Sequence, residues 1–238
     1  MPDDNSEGDN KQVTTDSACL PNQRPVEPAL RDYSNHERKS MTTRNLAILL
    51  FDDVEVLDFC GPFEVFSVAG HFVDPVAFEV YTVAEQAGPV IARNGLSVNP
   101  HYGLHDCPPP DLLIVPGGQG TRTQMHNPVL IEWIKQVAGE SELLLSVCTG
   151  ALMLARAGLL NGLEVTTHAN SIEALRELVP DATVHPDRRF VDNGRVICSA
   201  GIAAGIDMSL HVVARLLGTE VAEKTSQHME YPWEPASR

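Results

Sequence analysis

The 238-residue chain has 43% hydrophobic and 21% charged residues, enough apolar side chain for one sizeable core. Its formal net charge of -15, with no basic run, argues against nucleic acid as a partner. No stretch reaches the roughly 18 apolar residues of a membrane span, and the opening MPDDNSEGDN lacks the basic and apolar parts of a signal peptide.

Residues 1–43 are rich in Asp, Asn, Pro and Ser and show no sustained period, so they read as a disordered polar extension. A folded domain is expected over 44–238. Its first element is a buried strand, Leu46 to Phe51 (LAILLF), followed by a loop through Asp58 and a helix opened by Pro62. A strand follows at Phe78 to Ala84, and IARNGLSVNP then reads as a hairpin-like excursion. Asp111 to Val115 (DLLIV) is a strand stopped by Pro116-Gly117-Gly118, and Pro128 to Ala138 an amphipathic helix. In LLLSVCTGALMLARAGLL, residues 143–160, the nearly continuous apolar run expected of a strand covered on both faces ends at Val147. From Ala151 the spacing is helical, with Leu152, Ala155 and Leu159 on one face. Cys148 therefore sits at a sharp strand-to-helix turn.

A short strand is expected at Glu164 to Thr167, then a helix from Ser171 to Leu178 with Ser171 as its cap. A hairpin through Asp192-Asn193-Gly194 spans Phe190 to Ser199, and two helices close the chain, Ile206 to Leu217 and Glu220 to Tyr231. Strands alternating with helices predict a parallel sheet covered on both faces. In such a sheet the loops at the carboxyl ends of the strands form the site, here those holding Asp58, Gly117-Gly118 and Cys148.

The five cysteines lie far apart with no CxxC pair, so no disulfide framework is expected and a reducing cytoplasm is the simplest compartment. A thiol at a helix N-terminus meets unpaired N–H groups and the positive end of the dipole, which favour thiolate and nucleophilic attack. The competing reading is a small buried hydrophobe. Asp58 reads either as a proton-transfer carboxyl or as a loop-ending carboxylate, and Thr149 as a partner of Asp58 or the sulfur, or as an ordinary first-turn residue. Gly117 and Gly118 permit a tight turn that leaves N–H groups free for a site. Cys60 either borders the pocket or packs as a thiol, and His168 either positions groups near the sulfur or makes a structural hydrogen bond.

The segments LLFDDVEVLDFCGPFEVF, DLLIVPGGQG, SVCTGALMLARAGLLNG with EVTTH, and RVICSAGIAAGIDMSLHVVARLLG resemble the ThiJ/PfpI superfamily, which has the class I glutamine-amidotransferase-like fold. The resemblance implies a flavodoxin-like three-layer α/β sandwich with a mostly parallel sheet and a nucleophile elbow. Asp rather than Glu in LDFCGP, and Thr directly after the cysteine, look most like the isonitrile hydratase branch. That implies a lyase that hydrates an isonitrile to an N-substituted formamide, with Cys148 as nucleophile and Asp58 as acid and base. It also implies that the Gly118 and Thr149 amides stabilise developing negative charge, with a small-molecule substrate, no cofactor, no metal and a homodimer. Ala169 follows His168 where relatives commonly have Trp, which leaves the pocket shape open.

Other readings compete. A glyoxalase-like enzyme would act on small reactive carbonyls, and a stand-alone sensor would use the cysteine without turnover. His228-Met229-Glu230 spells the His-x-Glu of a glutamine-amidotransferase triad but falls in a helical stretch. The GIAAG run, Gly201 to Gly205, lacks dinucleotide-motif spacing and is expected to allow close strand–helix packing. Related regulators carry a helix-turn-helix segment, and with seven residues after Tyr231 none is expected here.

Overall fold

The computed structural model describes residues 42–234. The extension expected over 1–43 lies outside them, except for Thr42 and Thr43, which lead into the first strand. In chain order the elements are β1 (Arg44–Leu50), α1 (Val56–Gly70), β2 (Phe78–Ala84), β3 (Val90–Ile91), β4 (Ser97–Val98), β5 (Tyr102–Gly103), β6 (Leu112–Val115), α2 (Thr121–Gln124) and α3 (Pro128–Glu140). There follow β7 (Leu143–Val147), α4 (Gly150–Arg156), β8 (Glu164–Val165), α5 (Ile172–Leu178), β9 (Thr183–Val184), β10 (Phe190–Asp192), β11 (Val196–Ser199), α6 (Ala204–Leu217) and α7 (Thr219–His228).

Seven strands form one sheet in the order β10-β11-β7-β6-β1-β2-β5. Every pairing in it is parallel except β10 with β11, which closes the edge as the expected antiparallel hairpin. This is the doubly wound arrangement that alternating strands and helices predict. Every residue of β6 and β7 is buried, which is why those runs read as apolar without alternation. Helices α1, α6 and α7 pack on one another, while α4 lies between α3 and α5. The β3–β4 excursion is a small antiparallel pair, Val90 opposite Val98, turned by Asn94 and Gly95 at φ 64° and 85°.

Several expectations differ in detail: the strand expected at Glu164 to Thr167 is confined to Glu164–Val165, and the last helix closes at His228 rather than Tyr231. Helix α1 starts at Val56, so Asp58 lies in its first turn rather than in a loop, and Pro62 falls inside the helix. The loss of one helical hydrogen bond at Pro62 is offset by burial of Phe59, Pro62, Val65 and Phe66 on one face. Helix α4 ends at Arg156, not beyond Leu159, because Gly158 turns left-handed at φ 73° and Leu159 N–H donates back to Leu154 O (3.0 Å). Ser171 occupies the N-cap position of α5 as expected but makes no side-chain capping hydrogen bond; His168 Nδ1 accepts from Asn170 N–H (3.1 Å) at the single 3-10 turn before it.

Candidate active site at the Cys148 elbow

The site forms where strand order reverses, between β1 and β6, with β7 alongside. Cys148 lies between β7 and α4 with φ 57°, a left-handed conformation that non-glycine residues rarely adopt. Its surroundings enforce that turn. Cys148 N–H donates to the carbonyls of Ser199 (3.2 Å) and Ala200 (3.1 Å), and its own carbonyl accepts from Thr167 Oγ1 (2.7 Å). Gly150 is required two residues on, since a Cβ there would lie 2.0 Å from Val115 O. The Cys-Thr-Gly spelling thus follows from backbone packing as well as from chemistry.

Asp58 reaches the same point from α1 and is fully buried. Its Oδ2 accepts from Gly117 N–H (3.0 Å), while Oδ1 has no hydrogen-bond partner. The side chain acting on it is the Cys148 thiol. Burial raises the Asp58 carboxyl to about 7; the Gly117 amide and the thiol oppose the rise, and the nearby Glu55 charge adds to it. Burial, with the Asp58 charge, also pushes the Cys148 thiol up to about 12, against the Thr149 and Ile202 amides that favour thiolate. This reverses the direction expected from the helix N-terminus. A seven-residue helix supplies too little field to outweigh the near-complete loss of water around the sulfur.

The two glycine amides are both committed within the protein. Gly118, at φ 131°, donates its N–H to Thr149 Oγ1 (3.0 Å), so the amide that the family resemblance assigns to developing negative charge is engaged within the protein. The Thr149 hydroxyl correspondingly serves the Gly118 peptide, lying 3.1 Å from its carbonyl, and not Asp58 or the thiol. Thr121 Oγ1 joins this cluster, 2.8 Å from Gly118 O and 3.0 Å from Thr149 Oγ1, and Arg122 Nη1 donates to the same carbonyl (3.0 Å). At Gly117 a Cβ would stand 2.5 Å from Thr149 N and 2.8 Å from Asp58 Oδ2, so glycine there lets three site groups converge.

The other candidates separate. Cys60 is exposed: two residues on a helix turn it away from the face that buries Asp58, so it neither lines the site nor packs inside. His168 keeps its structural role, with its Nδ1 capping and its ring against Gly201, where a Cβ would lie 2.3 Å from Cδ2. Gly205 likewise admits Val147 at 2.9 Å from a would-be Cβ, the close packing expected of GIAAG. His228 stacks edge-on to Phe72 (6.0 Å), about 20 Å along α1 from Asp58 at 1.5 Å per residue, so no triad assembles. Ile202, at φ 53° with its amide acting on the sulfur, was missed, because a β-branched residue gives no sequence signal for a left-handed turn. Thr121 and Glu55 were also missed; both become visible only through tertiary contacts.

A DJ-1/PfpI family model matches residues 44–215. The chain belongs to the DJ-1/PfpI family. Among members, it is 33% identical over 187 residues to an isonitrile hydratase of Pseudomonas putida, covering 78% of each chain. It is 32% identical over 179 residues to the HTH-type transcriptional regulator CdhR of Pseudomonas aeruginosa, covering 75% of this chain but 52% of that one, about half the regulator's length. The crystal structure of a ThiJ/PfpI family protein from Pseudomonas syringae superposes with a TM-score of 0.73 at 26% identity, covering 88% of this chain and 87% of the other. The DJ-1/PfpI fold therefore holds for this chain, and the family includes both enzymes and regulators. No helix among the described residues is long and apolar enough to cross a membrane.

Proposed function

We propose that the protein is a cysteine-dependent hydro-lyase that adds water to a small isonitrile and releases an N-substituted formamide. The observation that carries the reading is the buried Asp58 carboxyl, poised at about 7 beside a thiol held neutral. At neutral pH such a carboxyl is divided between its two forms, as a group that must both take and give a proton requires.

The chemistry of an isonitrile suits this pair. As Cys148 Sγ forms a bond to the terminal carbon, the thiol proton passes to Asp58. Negative charge develops on carbon, and Asp58 discharges it by delivering the proton there, leaving a thioimidate, R–N=CH–S–Cys148. Asp58, again a carboxylate, then takes a proton from water as the water oxygen attacks the same carbon. Asp58 passes that proton to nitrogen, the C–S bond breaks as the new C=O forms, and the hydroxyl proton moves through Asp58 to the departing sulfur, so R–NH–CHO leaves with the thiol restored. The sum is R–NC plus water. A carbonyl substrate would instead place the charge on oxygen and need free donors around it. The Gly117 and Gly118 amides are already engaged, which favours the isonitrile over the glyoxalase-like alternative. The Thr149 and Ile202 amides serve the departing thiolate. A homodimer and a reducing compartment belong to the same reading, the latter in keeping with free thiols at Cys60, Cys107, Cys148 and Cys198.

The deciding experiment presents a simple alkyl isonitrile and methylglyoxal to the wild type, Cys148→Ala and Asp58→Asn side by side. Formamide from the wild type alone supports the proposal. A wild type inert to the isonitrile but active on methylglyoxal overturns it in favour of carbonyl chemistry. Binding without turnover of either overturns it in favour of a ligand sensor.

A further inference from the structure

Glu55 is the residue from which α1 springs, one turn before Asp58, and its side chain is only 17% exposed. Its backbone is fixed on both sides of the site: Glu55 N–H donates to Gly117 O (2.9 Å) and Asp58 N–H donates to Glu55 O (3.2 Å). Its carboxylate is met by Arg93 from the β3–β4 excursion, with Nη1 3.2 Å from Oε2. The excursion is itself stitched down beside α1. Arg93 N–H donates to Val54 O (2.9 Å), Asp53 N–H to Ile91 O (2.8 Å) and Ile91 N–H to Asp52 Oδ1 (2.9 Å). Arg93 is therefore delivered to Glu55 by backbone hydrogen bonds, not left to find it from solvent.

Charged groups on the elements neighbouring α1 are held by other partners or lie far from Asp58. Arg122, after the Gly118 turn, spends its guanidinium on the Gly118 carbonyl and Ser171 Oγ. On α6, Asp207 is bound by Arg189 and by the Tyr231 hydroxyl. On α7, His228 stacks on Phe72 at the far end of α1. Arg44, at the amino end of β1, pairs with Glu142. Among the described residues Asp58 forms no ion pair, and besides the thiol the charge that acts on it is that of Glu55.

We propose that the Glu55–Arg93 pair is a positioning device for the proton-transfer carboxyl: Glu55 presses a negative charge on Asp58, and Arg93 moderates that charge from outside. This rests on the acid–base role given to Asp58 above. Neither residue touches the reacting atoms. Their effect is on the pH at which Asp58 exchanges its proton, through a like charge one helical turn away. Arg93 acts through Glu55, so the two substitutions must be non-additive.

The test uses the full-length wild type, Glu55→Gln, Arg93→Met, Arg93→Lys and the Glu55→Gln/Arg93→Met double variant. The rate at which iodoacetamide alkylates Cys148 is followed by mass spectrometry of its peptide from pH 5 to 9, alongside isonitrile hydration. With Glu55→Gln the acid limb is expected to move down by about 0.5 pH unit, and with Arg93→Met up by a similar amount, both shrinking at high salt. Arg93→Lys should restore the wild-type limb, and the double variant should match Glu55→Gln. Unmoved limbs in the single variants, or an Arg93→Met shift that persists without Glu55, overturn the inference. Because alkylation needs no substrate, it judges the inference even where the wild type fails to hydrate isonitriles, a failure that would count against the proposed reaction alone.

Discussion

Replacing Asp58 by Asn should separate stability from activity, and the structure sets the size of the separation. In the unfolded chain this carboxyl ionises near its ordinary 3.8; in the fold it keeps its proton up to about 7. Between those values the folded protein holds one more proton than the unfolded, so its stability falls as pH rises across that window and is level above it. Each unit is about 1.4 kcal/mol, so the whole descent is about 4 kcal/mol for a group with no exposed surface. Asn carries no titration and keeps the acceptor that Gly117 N–H requires. Its amide leaves a donor where Oδ1 stood, a pH-independent cost of about 1–3 kcal/mol. Urea unfolding at fixed protein concentration and at pH 5, 6, 7 and 8 reads the result. Asp58→Asn should gain on the wild type steadily up to about pH 7 while formamide production is lost. Parallel stability curves for the two proteins would refute the claim that Asp58 holds its proton because it is buried.

Two further substitutions probe the convergence at the elbow. Thr149→Val keeps the side chain's shape but strands the Gly118 N–H, which should cost about 1–3 kcal/mol in thermal or urea unfolding and lower kcat through displacement of the turn. Gly117→Ala inserts a methyl 2.5 Å from Thr149 N and 2.8 Å from Asp58 Oδ2, an overpacking of about 1–3 kcal/mol that should reduce kcat by about 100-fold as site atoms separate. Gly139→Ala on α3, with nothing near its Cβ position, is the matched control and should stabilise by about 0.5–1 kcal/mol with activity unchanged.

The parts of the fold legible in the sequence were those whose burial is uniform. LAILLF, DLLIV and LLLSV lie in the middle of a sheet covered on both faces, so their apolar runs needed no tertiary knowledge to read as strands. The elbow was legible because the period changes at Cys148. What failed depended on which other segment came near. Pro62 marks a helix start in isolation, yet the buried face of α1 carries the helix back to Val56. Ser171 holds the cap position of α5 but not a capping bond; the capping bond is made one turn earlier by His168, whose ring is pinned against Gly201. The state of the thiol was misread because a helix N-terminus is visible in sequence, whereas the depth of burial that outweighs it is not.

Two residues in left-handed backbone flank the sulfur, Cys148 at φ 57° and Ile202 at φ 53°, and neither is glycine. Each conformation costs about 1–2 kcal/mol in isolation, so both persist only because the surroundings over-determine them. The carbonyls of Ser199 and Ala200 hold the Cys148 amide, Thr167 holds its carbonyl, and Gly201 lies under the His168 ring. With the backbone fixed in this way, the sulfur acts on a carboxyl whose Oδ1 has no hydrogen-bond partner. A thiol and a carboxylate that share one proton carry a single negative charge, which stays on Asp58 until the bond to carbon begins to form. In the proposed reaction the charge then appears where Asp58 can neutralise it. Burial, which makes the cysteine a poor free thiolate, is thus the same property that makes its neighbour an effective proton carrier.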